Sequence, residues 1–149
     1  MIPGVTSVRQ PCEIAIADVA RGDLDLKQYE SLSEMMLTRF PNLLAMAITL
    51  RESRSTGSNG WSACFRDTDG FRVSTKYEIM YIIDRVGAGD SFAASLIHGL
   101  HAYDDHQQSL ELAVAASCLK HSIPGDSNRA TVAEVENLMG GDTSARVKR

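Results

Sequence analysis

The sequence from residue 82 to residue 92 reads IIDRVGAGDSF. An apolar run ends there, two glycines enclose an alanine, and a helical pattern starts close to Asp90. Gly87 and Gly89 can adopt backbone conformations that a side chain would forbid. Successive N–H groups can therefore converge on one point, to which the helix dipole adds positive potential. This stretch predicts a site for a phosphate or an oxyanion, here called the anion hole (Gly87, Ala88 and Gly89).

Asp90 is unusual beside such a site, because its carboxylate would repel a resting phosphate. It suits a general base that takes a proton from a hydroxyl attacking phosphorus, while the N–H groups stabilise charge on the transferred group. A second interpretation stays open, in which Asp90 only caps a helix after a glycine turn. Two other phosphate sites are excluded. No glycine precedes a lysine, as a Walker loop requires, and Phe92 stands where the dinucleotide fingerprint has glycine.

Strand and helix patterns alternate along the chain, which predicts an α/β fold with a largely parallel sheet flanked by helices. The predicted buried strands are short apolar runs at 14–17, 43–50 and 78–83. Between the last two, a polar loop is expected at 51–60. Strand patterns at 61–65 and 71–74, joined by Asp-Thr-Asp-Gly at 67–70, predict an antiparallel hairpin at one edge of the sheet.

The predicted helices have apolar residues at helical spacing, at 26–40, 92–100 and 110–119. Asp25 and Ser109 are the expected N-caps of the first and the third of these helices. A last helix should begin at Thr131, because its spacing to Glu134 matches a capping box. Gly140 and the glycine after it should end that helix.

Length and composition limit the class of protein. The chain has 149 residues, of which 44% are hydrophobic and 23% charged, as expected for one globular domain. Its net charge of −4 gives no electrostatic support for binding nucleic acid or an acidic membrane. Cys12, Cys64 and Cys118 are widely spaced and predict reduced, buried thiols. No secretory signal pattern and no membrane-length apolar stretch is visible, so a cytoplasmic location is expected.

The segment from Asp84 to Asp90 resembles the signature D-T-x-G-A-G-D of the ribokinase-like, or PfkB-type, carbohydrate kinases. Arg85 stands where most members have threonine, and with the Ser-Phe-Ala-Ala at 91–94 this is similar to the 2-keto-3-deoxygluconate kinases of that family. Similarity extends from about Asp25 to the end of the chain. The resemblance implies that residues 1–149 form the C-terminal, nucleotide-binding and catalytic-base half of a ribokinase-like domain, without the N-terminal sugar-binding half and lid.

The resemblance also implies roles for individual residues. Asp90 matches the catalytic base, and Gly87, Ala88 and Gly89 match the family's anion hole. The stretch 116–128, which includes Lys120, falls where the family builds its adenine pocket. The residues expected to bind the nucleotide are Thr49, Leu50, Arg51, Glu52, Arg85, Ser117, His121 and Asn128.

The reaction that the resemblance implies is ATP-dependent phosphorylation of a keto-deoxy sugar acid, with Mg²⁺. The family has an N-x-x-E motif that helps to organise the magnesium shell, and the matching residues 18–21 read DVAR, so Arg21 replaces the acidic residue. No metal-binding residue is therefore assigned.

The alternative is a non-catalytic α/β module that keeps nucleotide binding, or only the fold. The expected partners are ATP or ADP and the sugar acid, with no nucleic acid and no membrane. The expected assembly is a homo-oligomer or a complex with a separate N-terminal half.

Overall fold

The computed structural model describes residues 25–55 and 58–141. The predicted strand at 14–17 and the residues 18–21 lie outside the described residues. The elements, in chain order, are α1 (Leu26–Arg39), β1 (Met46–Ser55), β2 (Ser58–Asp67), β3 (Gly70–Val73), β4 (Tyr77–Ile79), α2 (Ala88–Ala102), α3 (His106–Lys120) and α4 (Val132–Met139).

The ends of α1 and α4 are those that the sequence predicts. Asp25 is the N-cap of α1, and its carboxylate accepts the N–H of Lys27 at 3.1 Å. Thr131 and Glu134 form the capping box of α4, which ends at Gly140. These caps act through neighbours in sequence, and a sequence pattern is sufficient to predict them.

The predicted start of α3 is wrong. The N-cap is Asp105, whose side chain accepts the N–H of Gln107, and the helix begins at His106. Ser109 lies inside the helix, and its hydroxyl donates to the Asp105 carbonyl oxygen. The first turn is polar, so apolar periodicity alone placed the start one turn too late.

The strand pairing corrects the predicted sheet. β2 is central, with β1 along one side and both β3 and β4 along the other, and all three pairings are antiparallel. A largely parallel sheet is therefore wrong for the described strands. β1 and β2 pair up to Ser55 and Ser58, a connection of two residues, whereas parallel neighbours need a crossover of a dozen residues or more.

The predicted polar loop at 51–60 is also wrong, since β1 continues to Ser55. In β1, Leu50 is buried while Thr49 and Arg51 on either side of it are exposed, the alternation of a half-buried strand. The predicted hairpin between β2 and β3 is confirmed, with Asp67 opposite Gly70 across its turn.

The core lies between β2 and the helices α2, α3 and α4. Trp61, Ala63 and Phe65 alternate along β2 and belong to the buried cluster that α3 completes. From β2, Arg66 bonds to the Ser33 hydroxyl of α1 at 3.0 Å. The predicted α/β class, a sheet with flanking helices, is therefore confirmed. No helix among the described residues is long and apolar enough to cross a bilayer.

The cysteines that the structure describes behave as predicted. Cys64 and Cys118 are buried and free. Burial raises the pKa of the Cys64 thiol to about 11 and that of the Cys118 thiol to about 12. Both are therefore unreactive thiols of the core, while Cys12 lies outside the described residues.

The predicted strand at 78–83 is shorter than expected. β4 ends at Ile79, and Met80, Tyr81 and Ile83 beyond it are each more than 60% exposed. The N–H groups of Ile83 and Asp84 donate to one carbonyl oxygen, that of His121, at 2.9 and 3.2 Å. This segment is therefore held by hydrogen bonds to His121, which follows the last residue of α3, rather than by pairing with a neighbouring strand.

The Asp67 carboxylate connects the β2–β3 turn to α3 and predicts an acid-sensitive stability. Its oxygens accept from the N–H groups of Asp69 and Gly70, from Arg72 and from the His106 ring. Although burial raises the pKa of Asp67, the hydrogen bonds from His106 and Arg72 lower it to about 2. The contribution of Asp67 is therefore present above about pH 4, the usual unfolded value, and is lost as the pH falls towards 2.

We expect Asp67→Asn to lower the free energy of unfolding by about 2 kcal/mol at pH 7 and by much less near pH 2. Denaturant melts of the variant and the parent at both pH values measure the difference. Asp69→Asn, at an exposed position of the same turn, is the matched control and should change little. A destabilisation of equal size at both pH values would contradict the role given to the Asp67 charge.

Candidate anion-binding site

The residues of the predicted anion hole lie at the amino end of α2. Gly87 is the N-cap, with φ 77° and no side-chain hydrogen bond, and the helix starts at Ala88. The first helical hydrogen bond runs from the N–H of Ser91 to the Gly87 carbonyl oxygen at 2.9 Å. The N–H groups of Gly89 and Asp90 precede it, so the helix itself does not pair them. They present partial positive charge to a ligand at this end.

The two glycines have different physical roles. A Cβ at Gly87 would lie 1.9 Å from the carbonyl oxygen of Asp126, and the positive φ disfavours any side chain. Only glycine therefore fits at position 87, because the backbone of Asp126 occupies the space of a side chain there. Outside the adjacent helix backbone, no atom of the residues that the structure describes lies within 4 Å of a Cβ built at Gly89, and Gly89 is exposed. Gly89 thus leaves open the space in front of the N–H groups.

Asp90 is the third residue of α2 and is exposed. Because Gly87 holds the N-cap position, the interpretation of Asp90 as the helix cap is wrong. Its carboxylate accepts no hydrogen bond from the residues that the structure describes. It is free to accept a proton from a group bound at the anion hole.

Asp84 connects the anion hole to the loop that follows α3. Its carboxylate accepts the N–H of Val86 at 3.0 Å and that of Gly125 at 2.8 Å. These two hydrogen bonds are the main cause that lowers the pKa of Asp84. The contact between Gly87 and the Asp126 carbonyl lies in the same region, so the residues 121–126 support the anion hole from behind. We call this segment the supporting loop.

Ser117 and Asn128, two of the predicted nucleotide-binding residues, contact the anion-hole helix instead. Ser117 has no exposed surface, and its hydroxyl donates to the Ala88 carbonyl oxygen at 2.8 Å. The Asn128 side-chain N–H donates to the Ser91 hydroxyl at 2.6 Å. Both side chains hold the start of α2 in place, and the burial of Ser117 argues against a contact with nucleotide.

His121 is buried in this arrangement. Its Nδ1 donates to the Ser117 carbonyl oxygen at 2.8 Å, and the Trp61 ring packs edge-on against it at 4.9 Å between centroids. Burial lowers the pKa of His121, and the nearby charges of Arg85, Lys120 and Arg51 lower it further. Arg51 of β1 and Arg85 of the signature therefore both act electrostatically on this histidine.

All four residues of the segment 49–52 were predicted to bind the nucleotide, but they differ in exposure and in contacts. Thr49 and Arg51 are exposed, whereas Leu50 is 1% exposed and belongs to the interior. Glu52 forms an ion pair with Lys76. Arg51 lies opposite Trp61 in the β1–β2 register, and the Trp61 ring packs against that of His121.

A separate cluster could hold a cation by distance alone. Asp67, Asp69 and His106 place three ligand atoms within 4.8 Å of one another. They lie at the amino end of α3, about 20 Å from its carboxyl end near the anion hole. The Asp67 oxygens are already used by the hairpin turn and by His106, so no metal is assigned there.

Sequence reasoning missed the supporting contacts of this site. Asp84 was part of the signature without an assigned role, and Lys120 was placed only in a general pocket region. The position of Asp84 just before a glycine turn is a local signal for side-chain to backbone bonding. No local signal marks the bond from Ser117 to Ala88, since the two residues are far apart in sequence.

Comparison with known proteins identifies the family. The model of the pfkB family carbohydrate kinases matches residues 55–132, over half of the chain. The 2-dehydro-3-deoxygluconokinase of Thermotoga maritima is 44% identical, with a TM-score of 0.72, over 77% of this chain and 35% of that structure. A PfkB family carbohydrate kinase from Listeria grayi is 28% identical, with a TM-score of 0.69, over 72% of this chain and 33% of that one.

A third structure, from Enterococcus faecalis, is 24% identical with a TM-score of 0.69, over 85% of this chain and 36% of that one, and supports the fold alone. No curated protein gives a significant match. The chain spans about a third of the length of the solved structures that it matches. The matched family segment contains the whole signature, the anion hole and the supporting loop. The chain therefore belongs to the pfkB family of carbohydrate kinases.

Proposed function

We propose that this chain is the nucleotide-binding and catalytic-base part of an ATP-dependent kinase that phosphorylates a hydroxyl of 2-keto-3-deoxygluconate. The observation that carries the proposal is the start of α2, where unpaired N–H groups and the exposed Asp90 carboxylate lie side by side. Family membership supports phosphotransfer to a carbohydrate. The 44% identity to the Thermotoga maritima 2-dehydro-3-deoxygluconokinase supports the choice of sugar acid. A cytoplasmic location is part of the same proposal.

The geometry suits the start of phosphoryl transfer. Asp90 takes the proton of the acceptor hydroxyl as its oxygen begins to bond to phosphorus. The N–H groups of Gly89 and Asp90 and the helix dipole stabilise the charge on the transferred phosphoryl group. ATP supplies that group when it is bound, and Mg²⁺ would neutralise part of its charge. The Asp90 carboxylate itself does not bind the resting phosphates, since like charges repel.

The arginines of β1 and of the signature are the proposed contacts of the nucleotide phosphates. The positive charges of Arg51 and Arg85 both lower the pKa of His121, whose carbonyl oxygen accepts the N–H of Asp84 in the signature. Guanidinium groups bind phosphate oxygens in a bidentate manner. Thr49 and Glu52, which lie on the same strand as Arg51, remain candidate nucleotide-binding residues. We propose that Ser117, His121 and Asn128 act from behind, by fixing the start of α2 and the supporting loop.

Nucleotide binding is the first test of the proposal. We expect ATP with Mg²⁺ to bind with a Kd on the order of a millimolar, because Gly89 and Asp90 lie on an open surface. Isothermal calorimetry with ATP, and with adenosine as the ligand without phosphates, measures this affinity. Adenosine should bind more weakly, because it cannot use the anion hole. No binding by the folded protein would favour a module that keeps only the fold, whereas equal affinity for both ligands would contradict the role given to the anion hole.

An assay of phosphotransfer distinguishes the proposed kinase from the non-catalytic module. The expected product is a phosphorylated 2-keto-3-deoxygluconate, formed with release of ADP in a coupled assay of the intact kinase. Gluconate, which lacks the keto and deoxy groups, is the matched control and should react more slowly. Nucleotide binding without any transfer would support the non-catalytic module instead.

A further inference from the structure

Lys120 is a buried lysine, and burying its charged group costs free energy. It is the last residue of α3, it has no exposed surface, and its ammonium donates to the Ile123 carbonyl oxygen at 3.0 Å. Lysine is almost never fully buried unless it is paired, and removing an ammonium group from water costs free energy. An apolar side chain of similar length would fill the same space at lower cost. Packing alone therefore does not account for Lys120.

The contact of the Lys120 ammonium lies within the supporting loop. Two residues beyond Ile123, the N–H of Gly125 donates to Asp84 at 2.8 Å. One residue further, the Asp126 carbonyl oxygen occupies the space where a Cβ of Gly87 would be. The ammonium thus fixes the loop from inside, between α3 and the two contacts that this loop makes with the signature.

The charge of Lys120 acts on the same carboxylate. The hydrogen bonds from Val86 and Gly125 are the main cause of the lowered pKa of Asp84, and the positive charge of Lys120 lowers it further. An ionised Asp84 can accept both N–H groups at once, since each of its oxygens takes one of them. Lys120 therefore favours the form of Asp84 that joins the loop to the signature.

We propose that Lys120 is a positioning residue of the anion hole, which acts through the supporting loop and Asp84 rather than by contact with the substrate. The consequence for ligand affinity rests on the proposed function, because it assumes that the anion hole binds the nucleotide phosphates. The effect on the supporting loop does not depend on that assumption. The two effects can be measured separately.

The test replaces Lys120 by methionine, which has a similar length and no charge. We expect the variant to fold with an unchanged or higher Tm, because a buried charge is removed. The amide hydrogens of Val86 and Gly125 should exchange about tenfold faster, while those of the core of α3 keep the parent rates. The Kd for ATP with Mg²⁺ should rise about tenfold, the equivalent of one hydrogen bond to a charged group.

The matched control is Ser109→Ala, at the other end of α3. Ser109 is also fully buried and also donates to a backbone carbonyl oxygen, that of Asp105, but it lies far from the anion hole. This control should leave the exchange of Val86 and Gly125, and the Kd, at parent values. If Lys120→Met behaves like Ser109→Ala in both measurements, Lys120 only fills the core and the inference is wrong.

Two further outcomes also decide the inference. If the parent protein does not bind ATP, the proposed function fails, and the exchange of Val86 and Gly125 alone decides the positioning role. If Lys120→Met does not fold, Lys120→Gln, which keeps an N–H donor, replaces it in both measurements. Failure of both variants to fold would make Lys120 a determinant of general stability and would overturn the inference.

Discussion

Asp90→Asn is expected to lower phosphotransfer by the intact kinase by about two to four orders of magnitude, the usual contribution of general base catalysis. The amide keeps the shape of the side chain but cannot accept the proton of the acceptor hydroxyl. The affinity for ATP should stay the same or improve slightly, because a negative charge near the phosphates is removed. Steady-state kinetics with 2-keto-3-deoxygluconate, and calorimetry with ATP, measure the two quantities.

The control for this variant is Asp104→Asn. Asp104 is also exposed but lies beyond the other end of α2, so the substitution removes the same charge away from the anion hole. Its turnover should equal that of the parent. If Asp90→Asn also keeps nearly normal turnover, Asp90 is not the base and the mechanism proposed here fails.

Gly87→Ala is expected to affect both stability and binding. The positive φ alone costs about 1–2 kcal/mol for a residue with a Cβ, and the new methyl group would overlap the Asp126 carbonyl oxygen. The supporting loop must move, so we expect a total loss of about 3 kcal/mol and a fall in Tm of roughly 5–10 °C. Affinity for ATP should fall at least about tenfold, because the same loop holds the anion hole in place.

Gly89→Ala separates these two effects. Its methyl group would clash with none of the described residues, and alanine is the better helix former by about 1 kcal/mol, so Tm should stay the same or rise. The methyl group does enter the open space in front of the N–H groups, and affinity for ATP should fall. Thermal melts and calorimetry on both variants test the assignment. A parent-like Tm for Gly87→Ala would contradict the steric role given to Gly87.

Several features that depend only on residues close in sequence were predicted correctly. The caps at Asp25 and Thr131 each bond to an N–H two or three residues ahead. The β2–β3 turn at 67–70 was predicted from its own residues. The signature from Asp84 to Asp90 was sufficient to indicate the family and to place an anion hole at a helix start, because glycine positions and helix direction are both local properties.

The predicted sheet failed because pairing depends on which strands meet. The polar half of β1 has the composition of a loop, and only its pairing with β2 shows it to be a strand. The segment 80–84 has the composition of a buried strand, yet two of its N–H groups bond to His121. The composition of a segment reflects the average preference of its residues, whereas the segment that pairs with it decides whether it forms a strand.

The sequence by itself determined the family and the α/β class, and it predicted the residues of the anion hole. Only the tertiary structure decided what supports that site, since Ser117, Lys120 and the supporting loop reach it across 29 or more residues of chain. It also decided that Gly87 and Gly89, alike in sequence, differ in role. A Cβ at Gly87 would overlap the Asp126 carbonyl oxygen, whereas a Cβ at Gly89 would clash with none of the described residues. The physical reason is that packing across such distances depends on the three-dimensional position of each backbone, which residue spacing does not encode.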